Sequence, residues 1–165
     1  MVRKHVVTAL VLVSVVGVFG RSFARGEPAT QPSKVLVNVD RNGLAIQGRD
    51  PVAYFTENKA VPGDTSITSM HNGATYRFTS TEHKVMFDAD PAKYEPQFGG
   101  YCAYGTSKNK LVPITPEAFN IVDGRLLLQY DLSVRATFNK DVAGYLRKAD
   151  GNWPNLVEKY GATAP

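Results

Sequence analysis

Apolar and polar positions alternate along three parts of the chain. In 34–40 (KVLVNVD), Val35, Val37 and Val39 stand against Leu36 and Asn38, a weak period-two pattern that predicts a strand, and Leu44-Ala45-Ile46 predicts a second short one. Two extended runs, 66–71 and 74–78, meet at Asn72-Gly73, a pair in which both residues accept positive φ, so a two-residue hairpin is expected. A second hairpin is expected where 120–122 and 125–130 flank Asp123-Gly124.

Helical signals separate these runs. Asp50-Pro51 opens DPVAYF as a short capped turn, with Val52, Tyr54 and Phe55 facing inward. Thr79 and Glu82 have the spacing of a reciprocal cap, which predicts a helix to about Ala89, stopped by Asp90-Pro91. Ala92–Tyr94 is read as a further turn leading into a loop that carries Gly99 and Gly100. Ser133 would cap a helix reaching Lys140. A last helix, about Asp141–Asp150, would end before Trp153-Pro154, with Trp153 pinning it to the body. Strands and helices in separate runs predict one small α+β domain with two β-hairpins and three to four short helices.

Composition changes this picture mainly at the N-terminus. The chain has 165 residues, enough for one domain. Arg3, Lys4 and His5 precede an apolar run from Val6 to Phe19, and Ser22-Phe23-Ala24 offers small residues at a cleavage point. The run is shorter than the roughly 20 residues of a spanning helix. Residues 1–24 are therefore read as a signal peptide cleaved near Ala24, residues 25–33 as a flexible tail and residues 34–160 as the domain. The expected location is the periplasm or the medium, with no transmembrane anchor after cleavage. Removing Arg3, Lys4 and Arg21, with no acidic residue among them, takes the formal net charge from +4 to +1. No basic cluster interleaves with aromatics, so no nucleic-acid partner is expected.

Asp50-Pro51-Val52, Tyr76 through Ser80, His83, Phe87, Asp90-Pro91 and Tyr94 together resemble the YHS domain. Gly99 to Tyr104 (GGYCAY), Ile121 to Gly124 (IVDG) and Lys148 to Pro154 (KADGNWP) resemble its exported, stand-alone bacterial members, and the likeness covers nearly all of the chain after residue 24. The resemblance implies a cysteine-finger-like core. It also implies metal binding, because YHS domains accompany copper-transporting ATPases and some di-iron monooxygenase subunits. In the cysteine-bearing form three cysteines occupy positions where this chain has Ala53, Thr79 and His83, so two of those three ligands do not carry over.

The candidate chemistry rests on His83 and Cys102. Cys102 is the only cysteine, which excludes an internal disulfide and leaves a buried thiol, a reactive thiol, an intermolecular link or a metal ligand. One imidazole and one thiolate suit copper or zinc, with Met86, His71, Asp50 or Met70 as a further donor. Against ligation, His83 precedes Met86 and Phe87 by three and four residues and so shares their helix face, which also fits a packed histidine. A Cys–His enzyme would need Asp88 or Asp90 to orient the base, and both read better as helix-end residues, so turnover is not expected. The aromatic residues from Tyr54 to Tyr104 fit a core or a ligand pocket, and Lys108 and Lys110 a solvated loop. The sequence thus points to an exported metal-handling protein, with a non-catalytic periplasmic module for a protein partner or small ligand as the alternative.

Overall fold

The computed structural model describes residues 33–164, which form one small α+β domain. Residues 1–24, read above as a signal peptide, and tail residues 25–32 lie outside the residues described. Among these residues, no helix is long and apolar enough to cross a membrane.

Both expected hairpins are present. Strands β2 (Asp64–His71) and β3 (Ala74–Phe78) pair antiparallel around Asn72 and Gly73, whose φ values of 51° and 75° give the turn the hand that suits twisted strands. Along β3, Ala74, Tyr76 and Phe78 are buried while Thr75 and Arg77 are half-exposed. Strands β4 (Thr115–Val122) and β5 (Arg125–Gln129) pair around Asp123 and Gly124, both at positive φ. In β5 the pattern is continuous rather than alternating: Leu126, Leu127, Leu128 and Gln129 are all 0% exposed. Its two faces feed two cores. Leu126 and Leu128 pack with Tyr54, Tyr76, Phe78, Phe87 and Tyr94, whereas Leu127 packs with Phe98, Ala103, Phe138 and Ala149. A third pair joins the ends of the domain, β1 (Lys34–Val35) with β6 (Ala162–Thr163).

Among the described residues six α-helices accompany the strands, more than the three to four expected: α1 (Ala53–Thr56), α2 (Thr81–Ala89), α3 (Pro91–Tyr94), α4 (Ala103–Ser107), α5 (Leu132–Phe138) and α6 (Val142–Tyr160). Several boundaries correct the sequence reading. The run 34–40 is a strand only at its start, because the Asn38 backbone N–H donates to the Gly99 carbonyl (2.7 Å) and its side-chain amide to Gly100 (3.0 Å). Ile46 belongs to a 3-10 turn, Ile46–Gly48, rather than to a strand. The cap of α2 is Ser80, one residue later than expected, and that of α5 is Asp131, whose carboxylate accepts from Val134 N–H while Ser133 bonds to it.

Helix α6 runs ten residues beyond its expected end at Asp150, straight through Pro154. An interior proline costs a helix about 3 kcal/mol. Tertiary burial offsets this: Ala149 and Leu156 are buried on its inner face, and Trp153 meets the Phe98 ring edge-on with centroids 5.9 Å apart. Trp153 does pin the helix to the body. The Phe98 side is fixed by Gly99 at φ 55°, where a Cβ would stand 1.9 Å from the Leu36 carbonyl oxygen, so only glycine fits.

Burial pushes the phenols of Tyr54 and Tyr76 far above the ordinary 10.0. The folded state holds these protons more tightly than the unfolded chain, so their contribution is complete below pH 10 and is lost as pH rises above it. A titration followed at 295 nm should show two of the eight tyrosines ionising only together with loss of far-ultraviolet ellipticity. Normal titration of all eight in the folded state would contradict this burial.

Candidate functional site

The polar centre of the domain is Asp50. Its carboxylate is 0% exposed and accepts five hydrogen bonds. Oδ1 receives Val52 N–H (2.8 Å) and Ala53 N–H (3.3 Å), which closes the turn into α1. Oδ2 receives Thr79 N–H and the Thr79 hydroxyl, each at 2.8 Å, and His83 Nδ1 at 2.7 Å. The local reason is chain geometry: Ser80 starts α2, which turns His83 back over Thr79, and the end of β3 sets Thr79 against the Asp50-Pro51 turn. The sequence reading placed Asp50 as a turn cap and a possible ligand. Its bond to His83 was not legible.

This bond fixes the state of the imidazole. A carboxylate only accepts, so Nδ1 carries the proton, and Nε2 of the neutral ring presents a lone pair. The hydrogen-bonding contact recorded for Nε2 among the described residues is the Thr56 hydroxyl at 3.5 Å. That hydroxyl has one hydrogen, and its shorter contact, 3.2 Å to the Val52 carbonyl, takes it. The lone pair therefore has no protein donor among the described residues. The ring sits at the rim with 16% of its side chain exposed, and Met86, three residues on and 37% exposed, neighbours it on the helix surface.

Cys102 belongs to a different network. It is the N-cap of α4, a helix the sequence reading missed because the stretch after Gly99-Gly100 looked like a loop. Sγ accepts from Gly105 N–H (3.3 Å) and donates to Gln129 Oε1 (3.4 Å), and the residue is 1% exposed. Burial pushes the thiol above its ordinary value. The hydrogen-bond partners of Cys102 and His83 have no residue in common. Gln129, a buried amide ending an all-leucine stretch, was overlooked, although a polar residue continuing such a run is itself a signal.

The remaining candidates scatter. His71 lies beside Glu95 and Asn72, Met70 is 76% exposed, Asp88 binds Ser69 and Lys84, and Asp90 ends α2. Among the described residues, no three His, Cys, Asp or Glu side chains are grouped to hold an ion. No family model, curated protein or solved structure matches the chain.

Asp50→Asn would turn one acceptor into a donor facing buried donors and should cost on the order of 3–5 kcal/mol in denaturant unfolding, against about 1 kcal/mol for Thr79→Val, which removes one hydroxyl bond. Equal effects would deny Asp50 its central place. Alkylation of Cys102 by iodoacetamide at pH 8 should run on the order of a hundredfold slower in the native protein than in denaturant.

Proposed function

We propose that the chain is an exported YHS-type protein that handles a transition-metal ion, bound by His83 Nε2 and not by Cys102. The observation that carries this reading is the bond from His83 Nδ1 to the buried Asp50 carboxylate at 2.7 Å. Metal-ligating histidines characteristically give their other ring N–H to a carboxylate, which sets the tautomer and raises the basicity of the ligand nitrogen. The donor set supports copper over zinc. With the Cys102 sulfur committed inside the domain, the soft donor beside His83 is the Met86 thioether, and imidazole plus thioether suits cuprous copper better than zinc. Asp50 then acts as a positioning residue for His83 rather than as a ligand, and the histidine standing at the third cysteine position of the YHS pattern becomes part of the binding chemistry.

The test is a cuprous titration of tag-free protein against a chromophoric competitor. One equivalent should bind. His83→Asn, whose amide can still donate to Asp50, should lose it, and Met86→Leu should weaken it by about 10–100-fold, whereas Cys102→Ala should bind as the parent does. Failure of the parent to bind, or loss of binding in Cys102→Ala alone, would sink the reading.

A further inference from the structure

We propose a second binding site, separate from His83, for a compact organic cation in the hollow between β1, the 95–99 turn and α6. The hollow measures about 210 Å³. Drug-sized ligands occupy roughly 300–1,000 Å³, so this space admits a small molecule and not an extended cofactor. Its apolar wall includes Val35, Val37, Phe98 and Trp153, and its polar wall Asn72 and Glu95. Phe98 is 4% exposed, meets Trp153 at 72° and already has the Arg125 guanidinium 5.7 Å from its ring centroid, so Trp153 supplies the aromatic surface of the hollow.

Glu95 is the reason to choose a cation. Its carboxylate has two neighbours, His71 Nε2 at 3.2 Å and Asn72 Nδ2 at 3.4 Å. The Asn72 amide nitrogen, however, is 2.9 Å from His71 Nε2, and an amide nitrogen only donates. His71 Nε2 is therefore the acceptor in that bond and has no proton to give Glu95. Turning the amide over would set its oxygen against the carboxylate. The Glu95 carboxylate is thus left with one long hydrogen bond among the described residues. Lys34, which also lines the hollow, is already matched, its Nζ lying 2.6 Å from both the carbonyl and the carboxylate of Glu158, and Arg125 is held by both oxygens of Asp150.

One undercompensated carboxylate beside an indole ring is the chemistry that recognises a substituted ammonium group, through charge on one side and cation–π attraction on the other. A bare metal ion would gain nothing from the aromatic wall. An anion would meet Glu95.

Trp153 is the only tryptophan, so intrinsic fluorescence reports on this hollow directly. Choline chloride should produce a saturable change at constant ionic strength. Its uncharged isostere 3,3-dimethylbutan-1-ol should bind at least about tenfold more weakly, the factor expected from losing charge pairing and cation–π contact. Glu95→Gln should weaken choline by a similar factor with an unaltered circular dichroism spectrum, since the residue caps α3 through its backbone N–H and not its side chain. The absence of a saturable change, equal binding of the isostere, or unchanged affinity in folded Glu95→Gln would each overturn the proposal. None of these outcomes touches copper binding at His83, so the two sites stand or fall separately.

Discussion

A carboxylate buried in an apolar interior must be compensated by hydrogen bonds or it destabilises the fold by several kcal/mol. Asp50 meets that demand with five donors from three segments, and in doing so it decides the layout of this half of the domain. The turn into α1, the end of β3 and the first turn of α2 cannot move independently while all five bonds are made. His83 inherits its position from this arrangement. Its Nδ1 is consumed in satisfying Asp50, and what remains for chemistry is the opposite nitrogen at the domain rim.

The same logic separates the two residues that first drew attention. An unpaired cysteine invites a functional reading, yet Cys102 has the surroundings of a structural thiol: a helix N–H donating to its sulfur, a buried amide oxygen accepting its proton, and a pKa driven upward by burial. Thiolate chemistry needs the opposite environment, electropositive and accessible. His83 has a lone pair without a donor and partial access to solvent. Unmet hydrogen-bonding capacity is what sets His83 apart from Cys102. Glu95 enters on the same ground, as a carboxylate whose apparent partner His71 is already occupied by Asn72.

Strand β5 links the two cores. Because Leu126 and Leu128 face one cluster and Leu127 the other, a two-stranded hairpin, marginal when isolated, is covered on both sides. That coverage also explains why α6 tolerates Pro154. The helix supplies much of the second cover, and the packing of Ala149, Trp153 and Leu156 outweighs one missing backbone bond.

The sequence by itself determined the locally encoded features: the hairpins at Asn72-Gly73 and Asp123-Gly124, the end of α2 at Asp90-Pro91 and the α+β class, all of which depend on positive φ, a missing N–H or short-range periodicity. It also named Asp50, His83, Met86 and Cys102 as the residues worth watching. Only the tertiary structure decided how they are used. The pairing of Asp50 with His83 spans 33 residues and that of Cys102 with Gln129 spans 27. No periodicity registers contacts at that separation, because they arise where independently folded segments pack. The shift of the α2 cap to Ser80 has the same origin: Thr79 satisfies the capping pattern locally, but the buried carboxylate of Asp50 claims both its N–H and its hydroxyl.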